Sequence, residues 1–104
     1  MAPAEPLALE VFTSLLGERF SVANENGSAV HLRLTEVTAL PHSRGFPEGA
    51  IARGHFALLF SGPAESLLPQ GTYDFSHARF GTHAIFIVPV ARDATGVTYE
   101  AIFG

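Results

Sequence analysis

The 104 residues contain no cysteine and no lysine. The first absence excludes disulfides and thiolate metal sites and fits a cytosolic, redox-indifferent life. The second leaves arginines 19, 33, 44, 53, 79 and 92 as the basic side chains, scattered without a basic run in a chain of net charge −4. Neutralising a phosphate backbone needs clustered cations, so nucleic acid is not an expected partner. Long apolar runs are also missing. The densest, AIFIVPVA over 84–91, is far shorter than the roughly 20 residues that span a bilayer as a helix. The opening MAPAEPLALEVF has no basic region ahead of its apolar part, so no secretion signal is indicated. These absences predict a soluble, cytoplasmic protein with no membrane role.

What is present is apolar. Hydrophobic residues make up 47% of the chain and charged residues only 15%, against a usual charged share of roughly 25%. That excludes intrinsic disorder, which needs the opposite balance. A chain of this length forms one core, and a mean hydropathy of +0.25 is more than a small interior absorbs. The surplus is expected outside, where apolar patches mark contact surfaces. Self-association as a homo-oligomer, or a protein partner, follows as the first functional expectation. Residues 1–6 read as a flexible tail and 7–104 as a single β-rich domain.

Along the chain, Leu7, Leu9 and Val11 alternate as a strand would, but Leu9, Phe12 and Leu16 fall at helical spacing, with Gly17 placed to end a helix, and the short helix is the favoured reading. Strand patterns follow. RFSVA and AVHLRLTEVTAL flank NENG, where Asn26 and Gly27 suit a type I′ turn. Val30, Leu32 and Leu34 alternate with His31, Arg33 and Thr35, and the phase then slips, which predicts a β-bulge near Thr35 and Glu36. Residues 41–54 carry two prolines and three glycines and read as a long surface loop. HFALLF, TYDFSH, HAIFIVPVA and VTYEAIF complete six strands. Tyr73, Phe75 and His77 share one face, as do Val97, Tyr99, Ala101 and Phe103. The strand HAIFIVPVA is apolar on both faces and reads as central or doubly covered, with a bulge or an edge-facing position at Pro89 because proline cannot donate to a ladder. The fold class is mainly β: a small antiparallel six-stranded meander forming a barrel or roll, its last four strands sequential neighbours, with one short N-terminal helix plugging an open end.

Between strands lies LLPQGTYDF. Pro69 sets φ and Gly71 opens the backbone, so the stretch reads as a tight corner feeding a strand, with Leu67 and Leu68 covering a sheet end.

The segment from Gly62 to Phe103 resembles a family of small bacterial proteins catalogued only as a domain of unknown function. The resemblance rests on Gly62-Pro63, the Leu68-Pro69-Gln70-Gly71-Thr72-Tyr73 corner, His77 before a turn at Gly81, Phe86 with Val88-Pro89-Val90, and Tyr99-Glu100-Ala101 with Phe103. Where that family tends to have Leu-Gly in the turn, this chain has Phe80-Gly81. Its members are associated with phage-tail-like or tail-collar proteins, which implies a structural or assembly role and brings no catalytic residues.

For chemistry, no nucleophile elbow, phosphate loop, HExxH or dinucleotide fingerprint occurs, and Asp74 and Glu100 alternate onto the polar face. A small barrel fills its interior with side chains, so the expectation is no enzyme and no cofactor. The leading candidate site is the 41–54 loop, where His42, Arg44, Phe46, Ile51 and Arg53 combine arginine with exposed aromatic and aliphatic groups, the composition of protein contact sites. An exposed strand edge is a second route to a partner. The alternative is a small-molecule or metal-binding barrel with Tyr73, His77, His83 and Tyr99 around its helix-plugged end. There His77 and His83 flank the turn around Arg79-Phe80-Gly81 and, if it is a three-residue loop, would face each other about 4.5 to 5.5 Å apart at Cβ. Zinc would then need two further ligands from His42, His55, Asp74 or Glu100. The plainer reading has His77 hydrogen-bonded at the core rim and His83 in solvent, with no metal.

Overall fold

The computed structural model describes residues 9–23, 28–39 and 56–103. The tail, the Asn26-Gly27 turn, the 41–54 loop with its five candidate residues, and His55 lie outside those residues.

Alternation builds the strands. In β2 (Ala29–Ala39) Val30, Leu32 and Leu34 are buried while His31 and Arg33 face out. The pairing register then shifts between Leu34 and Glu36, so the anticipated bulge returns Val37 towards the interior. In β6 (Gly96–Phe103) Val97, Tyr99 and Ala101 are buried in the same period-two rhythm. The remaining strands are β1 (Arg19–Ala23), β3 (Phe56–Gly62), β4 (Gly71–His77) and β5 (Gly81–Asp93), and the helix α1 is Leu9–Thr13.

All pairings are antiparallel and close a barrel in the order β1-β2-β3-β6-β5-β4. The expected succession of the last four strands is corrected here. β3 pairs with β6, not with β4, and β4 turns back to pair with β1. Two three-stranded meanders are thus joined edge to edge, and β4 beside β1-β2-β3 makes a Greek key. The physical reason is the 63–70 connection. It is too irregular for a hairpin and long enough to cross a barrel end. Closure also removes the exposed strand edge considered as a docking route, since among the described residues every strand is paired on both sides.

β5 is central, bonded to β4 and β6, and its register shifts between Pro89 and Ala91 as proline demands. It is not doubly covered. Ile85 and Ile87 point into the core, but Phe86 and Val90 face solvent.

The two barrel ends are sealed differently. At one, α1 inserts Phe12 and the turn that follows it inserts Leu15. The Phe12 ring lies 5.9, 5.4 and 5.5 Å from those of Phe56, Phe80 and Phe103. Here Leu15, not Leu16, is the buried leucine. The chain tightens after Thr13 so that the Leu15 N–H donates to the Phe12 carbonyl at 3.0 Å, and a three-residue step puts Leu15 on the Phe12 face. Gly17 has a φ of 89°, yet it does not cap the helix: its N–H donates to the Leu34 carbonyl at 2.8 Å and stitches the turn to β2. At the other end the 63–70 connection tucks Leu68 into the core while Leu67 stays outside. Gly62 and Gly96 meet there so closely that a β-carbon on Gly96 would lie 2.5 Å from the Gly62 carbonyl oxygen.

No polar or charged residue is fully buried among the described residues. No helix among them is long and apolar enough to cross a membrane.

Candidate functional site

Position along the strands places Tyr73 and Tyr99 towards the corner end and His77 at the helix end, so the four residues of the ligand alternative do not surround one pocket. The Tyr99 hydroxyl, inside the core, accepts the Leu68 N–H at 2.9 Å. The Tyr73 hydroxyl donates to the Pro69 carbonyl. Both tyrosines therefore hold the LLPQG corner in place.

The two histidines do not face each other. A turn of Ala78, Arg79 and Phe80 sets His77 opposite Gly81 and His83 opposite Phe75. Each ring is already engaged. Nδ1 of His77 accepts the Arg79 backbone N–H at 3.0 Å. In the neutral ring Nε2 then carries the proton and donates to Glu18 Oε1 at 3.0 Å. Nε2 of His83 lies 2.9 Å from the Phe80 carbonyl, to which it must donate, and the imidazole packs 4.5 Å from the Phe80 ring. The position foreseen for His77, at the core rim, is correct, while His83 is half-buried. Among the described residues no group of three or more His, Cys, Asp or Glu is placed to hold a metal. Glu18 completes a small polar clasp at the helix end, its Oε2 lying 3.4 Å from the Arg79 guanidinium. The hydrogen bond from His77, aided by the charge of Arg79, holds the Glu18 carboxyl below its usual value.

A concave feature lies elsewhere, on the outer wall of β1, β2 and β3. An open groove of about 500 Å³ is lined by Arg19, His31, Arg33, Ser61, Ser66 and Thr95, with Val30 and Pro63 as its apolar part. The β1–β2 register sets Arg19 directly opposite Arg33, and the β2–β3 register sets Ser61 on the other side of Arg33. Like charges opposed across an antiparallel pair are unfavourable. Three carboxylates are engaged elsewhere, and Glu65, in the segment between Pro63 and Ser66, is exposed and forms no ion pair among the described residues. Glu18 binds His77 and Arg79, Glu36 accepts from the Thr38 hydroxyl, and Asp93 accepts from Thr95 and the Gly96 N–H. Among the described residues neither Arg19 nor Arg33 has an ion pair. Reading the six arginines as scattered missed this pair. The signal was the hairpin register around NENG, which makes Arg19 and Arg33 equidistant from Asn26.

The family model of a domain of unknown function, DUF6916, matches residues 7–103, and the chain belongs to that family. The match includes the amino-terminal half. No curated protein and no solved structure matches the chain.

Proposed function

We propose that this DUF6916 member is a non-enzymatic β-barrel module that acts by docking a protein on its outer wall, a second copy of the chain being the first occupant to test. The observation that carries the reading is where the apolar side chains lie. The interior is packed by fully buried Phe20, Phe60, Phe75 and Tyr99, which supports a filled scaffold over a substrate-holding barrel. Outside, Phe86, Val90 and Ile102 on β5 and β6 are 51%, 50% and 59% exposed. Large apolar groups on one outer region are what a contact surface requires. The finer assignment, to a phage-tail-like structural partner, draws on the sequence resemblance alone.

The test is sedimentation velocity of the wild type and of a Phe86→Ser, Ile102→Ser double variant over a hundredfold range of concentration. The wild type should sediment faster as concentration rises, and the variant should stay monomeric with its fold intact by circular dichroism. A wild type that remains monomeric throughout, or a variant that associates equally well, defeats the reading.

A further inference from the structure

We propose that the groove between β1, β2 and the 63–66 segment is a binding site for a phosphate group, free or as a small phosphomonoester. Three observations converge on it. First, Arg19 and Arg33 are opposed in register with their guanidiniums free of carboxylates among the described residues. The arrangement is unfavourable when empty and becomes favourable when an anion lies between the two cations. Second, neutral donors line the same space. The hydroxyls of Ser61 and Ser66 border the groove and make no side-chain hydrogen bond among the described residues. Third, the volume of about 500 Å³ exceeds what a bare ion fills and falls within the roughly 300–1,000 Å³ of small-molecule sites. Pro63 supplies an apolar flank for an organic group.

Charge selects phosphate over carboxylate. A single guanidinium satisfies a carboxylate with two parallel N–H···O bonds. A phosphate monoester carries about −1.5 to −2 at neutral pH and three terminal oxygens, which match two guanidiniums and a hydroxyl. Of the other charged groups around the groove, Glu65 in the 63–66 segment is exposed and pairs with neither arginine among the described residues. Asp93 is turned into its own loop by the Thr95 hydroxyl, at 2.6 Å, and by the Thr95 N–H, at 2.9 Å. Arg92 lies beyond the groove and donates to the Ala64 carbonyl at 3.2 Å, steadying the segment that forms one wall. This inference stands apart from the docking face on β5 and β6, and either can fail alone.

The experiment is calorimetric titration of the full chain at fixed ionic strength with inorganic phosphate, phenyl phosphate and acetate. Saturable binding of at least one phosphate ligand is expected, with acetate at least tenfold weaker. Phenyl phosphate binding more tightly than phosphate identifies a phosphomonoester site; equal binding identifies a site for the free ion. Arg19→Gln with Arg33→Gln should weaken binding at least tenfold. Without ligand, the same variant should melt no lower than wild type, because a repulsion has been removed. Arg79→Gln, which removes one arginine charge outside the groove, should bind as wild type does, whereas Arg19→Gln or Arg33→Gln alone, the same charge change inside it, should already weaken binding. No saturable binding of either phosphate ligand, equal binding of acetate, or equal weakening by Arg79→Gln overturns the proposal.

Discussion

The two ends of the barrel solve one problem in different ways. At the helix end, closure is by mass: Phe12 sits among Phe56, Phe80 and Phe103, and Phe20 meets Phe80 edge-on at 5.3 Å. Such ring pairs contribute about 0.5–1.5 kcal/mol each beyond area burial and tolerate many tilts. At the corner end, closure is by geometry: one buried leucine, one tyrosine hydroxyl on its N–H, and two glycines in close approach. The difference teaches that the helix end should respond to volume and the corner end to single atoms.

Substitutions at each end are able to break that contrast. The largest effect is expected for Phe12→Ala, which empties the centre of the ring cluster and should cost about 3–5 kcal/mol. In a domain of this size that lowers the melting temperature by more than about 10 °C. Phe12→Leu, which keeps most of the volume, should recover the greater part. Tyr99→Phe is the counterpart. It removes one oxygen, adds no cavity beyond it, and strands the buried Leu68 N–H, a loss of about 1–3 kcal/mol. Chemical denaturation of all three variants decides the matter. If Phe12→Leu proves as damaging as Phe12→Ala, or Tyr99→Phe is neutral, the ends are not distinguished by volume and by atoms.

The parts of this architecture that depend on local pattern were legible in the residues alone. AVHLRL and VTYEAIF alternate cleanly, the phase slip after Leu34 announces its bulge, and Pro89 announces the other. What escaped depends on registers between distant segments. Nothing near Gly62 states that β3 will pair with β6, because that edge is chosen by closure of the whole sheet. A one-turn helix is too short to separate a 3.0 from a 3.6 period, which is why Leu16 was preferred over Leu15. The histidine pair failed for a related reason: the three-residue turn is Ala78-Arg79-Phe80, one residue earlier than Arg79-Phe80-Gly81, so Gly81 sits opposite His77 and His83 falls two pairs further along. The groove was hidden in the same way, because Arg19 and Arg33 become neighbours only once β1 and β2 are in register.

The smallest expected effect belongs to the polar clasp at the helix end and appears only with pH. Glu18 has its carboxyl held below the ordinary value of 4.5, first by the His77 hydrogen bond and then by the Arg79 charge. A carboxyl whose folded value is depressed contributes stability that is fully present above its unfolded value and is lost as pH falls through the folded one. Asp93 is depressed in the same direction, from 3.8, by its bonds to Thr95 and Gly96, so the wild-type acid limb sums both. Glu18→Gln separates them. The amide oxygen still accepts from His77 Nε2, but the charge facing Arg79 is gone. The variant should therefore be less stable than wild type at pH 7, with a gap that closes as pH drops below the carboxylate range. Because Glu18 and Arg79 are solvent-exposed, added salt should narrow the pH 7 gap. Urea unfolding at pH 7 and pH 3 measures it, and a gap of equal size at both would mean that the clasp acts through packing of the His77 ring and not through the Glu18 charge.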